Sequence, residues 1–127
     1  MSPVFAVILL ALAEYYFFTV MVGRARSKYG VKAPATTGNA DFERVNRVHQ
    51  NTLESLIIFV PAVWIFGLYV NPVGGAVLGL WFIVGRGLYA YGYYRAADKR
   101  ALGAALTFIV NAVLVVWGFV VIAKQLV

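Results

Sequence analysis

Arg47, Asn51 and Glu54 stand four and three positions apart at the start of an apolar run, so on a helix they stack along one face as donor, amide and acceptor. Arg86, Tyr89 and Tyr93 repeat that spacing in a later run, and Arg100 continues it if the helix persists past the lipid boundary. Several arginines with one Glu, one Asn, His49 and two Tyr suit a small anion that carries both carboxylates and an amine. A guanidinium grips a carboxylate in a fork, and a carboxylate receives an ammonium. If that ligand bears a thiol, a neighbouring cation or hydroxyl favours the thiolate, and a shift of about two pKa units corresponds to roughly 2.7 kcal/mol. The protein then supplies no nucleophile of its own. With no Cys there is no disulfide, cysteine nucleophile or thiolate ligand, and the lone His49 makes a zinc site improbable.

Other polar residues read as structural. Glu14, Arg86 and Asn111 fall near the middle of three different apolar runs, at comparable depth. A Glu14 or Glu54 partner for Arg86, with Asn111 as an added hydrogen-bonding group, accounts for a charge at that depth and fixes helix register. Asp41 is a plausible N-cap, with Glu43 and Arg44 in water. Tyr91 and Tyr94 read as an aromatic interface belt. Gly85, Gly87 and Gly92 read as close-approach positions, and Pro61 as a kink.

The elements that must position these groups follow from composition. Hydrophobic residues make up 62 % of the 127 residues and charged residues 13 %, and the mean hydropathy is +0.80. This is too apolar for an ordinary soluble domain. Four stretches each approach the ~20 residues a helix needs to cross a bilayer core, and lipid admits only helices there. The expectation is one all-α domain over residues 1–127, a four-transmembrane-helix bundle with spans near 3–23, 42–70, 74–95 and 100–124. Ala11-Leu12-Ala13 resembles a signal cleavage site, but no Lys or Arg precedes it, so the first run is read as a retained helix.

Arg24, Arg26, Lys28 and Lys32 lie in the first connection and Arg95, Lys99 and Arg100 in the third, while the second has no basic residue. The positive-inside rule puts both basic connections in the cytoplasm and both termini outside. The net charge of +6 is then a topology signal. Nucleic-acid binding lacks the soluble basic face it requires.

Several strings resemble the MAPEG family, the membrane-associated proteins in eicosanoid and glutathione metabolism. They are Phe42-Glu43-Arg44-Val45 with Arg47, His49-Gln50-Asn51-Thr52-Leu53-Glu54, Gly85-Arg86, Leu88-Tyr89-Ala90-Tyr91-Gly92-Tyr93-Tyr94 and Lys99-Arg100. Within the family they look closest to the microsomal glutathione transferase 3 branch. The resemblance implies a homotrimer of four-helix protomers, with glutathione held between neighbouring subunits near the cytoplasmic side. By position it implies that Arg47, Asn51, Glu54, Tyr89 and Tyr93 contact glutathione, with His49 and Arg26 contributed by an adjoining subunit. Arg100 matches the arginine thought to stabilise the glutathione thiolate, and Tyr93 is the other candidate activator.

The resemblance also implies a lipophilic second substrate entering sideways from the lipid. Conjugation to an electrophile and reduction of a lipid hydroperoxide need the same activated thiolate. Ser27 stands where some eicosanoid-forming relatives have a second arginine, which argues against their mode of substrate protonation. Loop composition and compact length suggest a bacterial member, in an inner membrane. Two rivals remain: a small proton-coupled drug exporter using Glu14, and a non-enzymatic lipid-binding scaffold of the same fold. The first leaves the Arg47–Glu54 stripe unexplained, and the second has no need of a thiolate activator.

Overall fold

Four helices follow the four apolar runs in a computed structural model that describes residues 1–127: α1 (Ser2–Tyr29), α2 (Ala40–Tyr69), α3 (Pro72–Arg95) and α4 (Ala101–Leu126). A 3-10 turn, Ala97–Arg100, joins α3 to α4. The architecture is all-α, a bundle of four transmembrane helices, each long and apolar enough to cross a bilayer. Only 31 of 127 residues are buried, and Leu9, Ile57, Phe108 and Phe119 face outward. A bundle with its large apolar side chains on the outside is matched to lipid, where backbone groups are satisfied within each helix.

Local chemistry sets the helix ends. Gly30 stops α1 in the left-handed region at φ +69°, and the N–H of Val31 closes onto the carbonyl of Arg26 at 3.1 Å. Asn39, rather than Asp41, caps α2: its Oδ1 accepts from the Phe42 N–H at 3.0 Å, while Asp41 pairs with Arg44 one turn into the helix. Asn71 caps α3 in the same way, with Pro72 in the first turn where an N–H is not needed. α2 runs unbroken through Pro61.

α1 and α4 flank the central α2–α3 pair on opposite sides. The main core gathers Val4, Ile8, Leu56, Phe59, Val63, Phe66, Phe82 and Leu114, with Phe59 and Phe82 stacked at 4.0 Å between centroids. A second cluster, Phe18, Val48, Tyr89 and Ala90, lies nearer the end that carries the basic connections. Between the two clusters runs a polar layer to which every helix contributes, with Glu14 from α1, Thr52 from α2, Arg86 from α3 and Thr107 from α4.

Small residues let α3 and α4 approach. A Cβ on Gly103 would sit 2.2 Å from the Tyr89 backbone nitrogen, and one on Gly92 would sit 2.0 Å from the Lys99 carbonyl oxygen. The second contact explains a departure from expectation. α3 does not continue to Arg100; it ends at Arg95, and the chain folds back over Gly92, where the absent side chain leaves room for the turn.

Candidate functional site

Arg86 is the largest fully buried side chain, at 1 % exposure. The expected carboxylate partner is absent, since the chain's single ion pair joins Arg44 to Asp41. Neutral oxygens hold the guanidinium instead. Its Nε and Nη2 donate to Thr52 Oγ1 at 3.2 and 3.0 Å, and Nη2 also donates to Asn51 Oδ1 at 2.8 Å. Nη1 donates to Thr107 Oγ1 at 3.3 Å and Ser55 Oγ at 3.4 Å. Thr52 and Thr107 each give their own hydroxyl proton to a carbonyl four residues back, Val48 at 2.7 Å and Gly103 at 2.9 Å, which leaves oxygen lone pairs for Arg86. A buried cation is thus satisfied by dipoles on α2 and α4, which sequence spacing could not reveal because the partners come from different helices.

The other two structural candidates lie close by but do not bond to Arg86. Asn111 donates to the Ser55 carbonyl at 3.3 Å. Glu14 turns its carboxylate toward α3 beside Gly87, with one oxygen buried and without a hydrogen-bond partner. Glu54 is exposed and unpaired.

From Arg86 a column of cations and rings climbs α3 toward the basic end. The Arg86 guanidinium lies 4.3 Å from the Tyr89 ring centre, the Tyr89 and Tyr93 rings are 5.4 Å apart, and the Arg100 guanidinium lies 5.6 Å from Tyr93. Exposure rises along the column: Tyr89 is buried, Tyr93 half-buried and Arg100 open. Arg100 reaches the column from the 3-10 turn, where it bonds the Ala97 carbonyl, rather than from an extension of α3.

Beside this column a cavity of about 460 Å³ opens between α2 and α4, lined by Asn51, Glu54, Ser55, Arg86 and Asn111 at its polar end and by Ile58, Val115 and Val116 beyond. Its volume falls in the ~300–1,000 Å³ range of small-molecule sites. Ile58 and Val115 also line a second, wholly apolar cavity that extends past Pro61 to Ile122. Together they form a single groove, polar at one end and greasy along the rest.

The predicted site residues divide into two groups. Asn51 and Glu54 line the groove, Tyr89, Tyr93 and Arg100 stand in the column that rises from Arg86 without lining it, and Arg47 stands exposed one turn above Asn51 with its guanidinium 3.5 Å from Gln50. Arg26 and His49 lie elsewhere in the protomer. Arg26 donates to the Ala35 carbonyl at 2.8 Å and lies over the Phe42 ring, fixing the α1–α2 connection. His49 faces α1, stacked on Tyr15 at 4.6 Å and bonded to Thr19 at 3.0 Å. Tyr91 is exposed, as a belt residue is, but Tyr94 is half-buried with its hydroxyl enclosed against the second core cluster. Sequence reasoning missed Thr52, Ser55, Thr107 and Gly103; short hydroxyl and glycine residues at helical spacing in apolar runs were the available signal.

The model of the MAPEG family matches residues 4–120. Microsomal glutathione S-transferase 2 of Homo sapiens is 42 % identical over 120 residues, covering 94 % of this chain and 82 % of its own length. An uncharacterised protein of Synechocystis sp. is 51 % identical over 117 residues, 92 % of this chain and 85 % of its own. Leukotriene C4 synthase of Cavia porcellus is 36 % identical over 94 residues, 74 % of this chain and 63 % of its own. The names among these relatives are type 2 and leukotriene C4 synthase, so the expected likeness to the type 3 branch is not shown. The family model across nearly the whole chain and the relatives at 36–51 % identity show that the chain belongs to the MAPEG family.

Proposed function

We propose that this protein is a membrane glutathione transferase that converts glutathione to its thiolate at the basic end of the bundle and directs it at lipophilic electrophiles from the bilayer. The observation that carries the reading is the Arg86–Tyr89–Tyr93–Arg100 column standing beside a groove that is polar at Asn51 and Glu54 and apolar from Ile58 onward. Names of relatives that include glutathione S-transferase and leukotriene C4 synthase support it.

Roles follow from chemistry. Arg47 pairs with a carboxylate of the peptide, Glu54 receives its ammonium and Asn51 donates an amide N–H. Arg100 is exposed, and its guanidinium adds positive potential where the sulfur settles, favouring loss of the thiol proton to water. Tyr93, held against Arg100, presents its hydroxyl as a donor to the same sulfur. The sulfur lone pair then forms a bond to an electrophilic carbon. The bond to the leaving group breaks, and that group departs with the electron pair. The apolar half of the groove, open to lipid, holds the second substrate. The same thiolate can reduce a lipid hydroperoxide to the alcohol: oxygen-oxygen cleavage forms a sulfenic acid and a second glutathione completes the disulfide and releases water.

Assembly as a homotrimer gives Arg26 and His49 a route to a neighbouring subunit's groove. The excess of basic side chains at one end favours a cytoplasmic position for that end, with both termini on the opposite face of a bacterial inner membrane. The test is calorimetric titration of the detergent-solubilised protein with glutathione, together with conjugation of an activated aryl halide. Saturable binding and glutathione-dependent conjugation are expected. Binding of fatty acid or retinoid-like lipophiles without glutathione binding overturns the transferase reading in favour of a lipid-binding scaffold.

A further inference from the structure

The buried guanidinium at the floor of the groove has no donor left for a ligand. Arginine carries five N–H groups, and the hydrogen bonds to Thr52, Asn51, Ser55 and Thr107 engage all of them: one from Nε, two from Nη1 and two from Nη2. Although Arg86 lines the cavity, any influence on a bound molecule has to pass through a partner.

Asn51 is that partner. An arginine only donates, so the 2.8 Å contact from Nη2 requires the oxygen of the Asn51 amide to face Arg86. The amide is planar, so its Nδ2 lies on the other side of the side-chain axis, away from the contact. Asn51 is half-buried, lines the groove and has no other side-chain hydrogen bond. Without Arg86 the same amide could rotate by half a turn and present its oxygen instead, repelling a carboxylate.

We propose that Arg86 is a positioning residue for the groove, locking the Asn51 amide so that its N–H groups face the ligand and this end of the groove selects an acceptor, carboxylate or carbonyl. The proposal rests on the reading that glutathione is the groove's ligand. Arg86 is held across three helices, and the protons of the Thr52 and Thr107 hydroxyls that receive it are already engaged, so the lock is set before the ligand arrives.

A double-mutant cycle on the full-length protein tests it, with glutathione Kd measured by calorimetry in one detergent and folding checked by size exclusion and thermal unfolding. Asn51→Ala is expected to raise Kd about tenfold, the cost of one hydrogen bond to a charged acceptor. Arg86→Met is expected to raise it by a similar factor, and the double variant no further, because Arg86 acts only through Asn51. Arg86→Lys, which keeps one donor for Oδ1, is expected to recover most of the affinity. A double variant whose loss is the product of the two single losses shows Arg86 to be merely structural and overturns the proposal.

Asn51→Asp keeps the test decisive even where Arg86→Met does not fold. It preserves an acceptor for Arg86 but has no N–H to offer, so affinity is expected to fall by more than tenfold with the fold intact, and wild-type affinity in that variant refutes the lock. Wild-type protein that does not bind glutathione fails the functional reading itself. Wild-type binding with multiplicative losses fails only the positioning role.

Discussion

Replacing Gly103 by Ala adds one carbon at a point where two helices touch through their backbones. The new Cβ falls 2.2 Å from the Tyr89 nitrogen, 2.5 Å from its Cα and 2.7 Å from the Gly85 carbonyl oxygen. None of these atoms can leave by a rotamer change, so α3 and α4 must separate by about 1 Å to restore van der Waals distance. Overpacking of this kind costs about 1–3 kcal/mol. The separation also stretches the 3.3 Å bond from Arg86 to Thr107 beyond its useful range, adding about 1 kcal/mol. A total near 3 kcal/mol lowers the midpoint of thermal unfolding by roughly 5–15 °C, and the displaced column weakens glutathione affinity. Gly87→Ala is the control. Its Cβ meets only the Glu14 carboxylate, at 3.8 Å, and Ala gains about 1 kcal/mol of helix propensity over Gly. Unfolding followed through Trp64, Trp81 and Trp117 fluorescence in one detergent gives both numbers. If Gly103→Ala melts within about one degree of wild type while Gly87→Ala is the damaging change, the close α3–α4 approach is wrong.

Other expected outcomes follow from single contacts. Phe59→Ala removes one ring of the 4.0 Å stack with Phe82 in the main core, and unfolding in denaturant is expected to show a loss of about 3 kcal/mol from the cavity left behind. Asn39→Ala deletes the cap on the Phe42 N–H, costs about 1 kcal/mol in the same assay and raises hydrogen exchange in the first turn of α2. Glu54→Gln keeps size but removes the charge that receives an ammonium. Glutathione Kd is expected to rise about tenfold, while an analogue lacking the amine binds both forms alike.

Much of this arrangement was legible in the sequence because lipid restricts the options. Runs of about twenty apolar residues can only be helices there, and the paired basic connections fix an up-down order. The Arg47–Asn51–Glu54 and Arg86–Tyr89–Tyr93 spacings needed only the 3.6-residue repeat to be placed on helix faces. The environment of Arg86 was not legible, since like charges and opposite charges are conspicuous in a sequence whereas two threonines, a serine and an amide from separate helices are not. The stop of α3 at Arg95 has no Gly or Pro after it; the cause lies three residues earlier, in the space above Gly92. Tyr94 looked like an interface residue because hydropathy does not distinguish a ring facing lipid headgroups from one turned against Phe18 and Val48. Asp41 was the expected cap of α2 and Asn39 is the observed one, because both residue types serve equally and only backbone geometry separates them.

Arg100 is the proposed activator of the thiol of a bound glutathione. Ultraviolet difference absorbance of the solubilised protein, titrated with glutathione at neutral pH, reads the thiolate directly. A saturable thiolate band is expected in wild type and, at reduced height, in Tyr93→Phe, with its loss in Arg100→Ala while glutathione still binds. A band of undiminished height in Arg100→Ala, with the same pH dependence as wild type, contradicts that role.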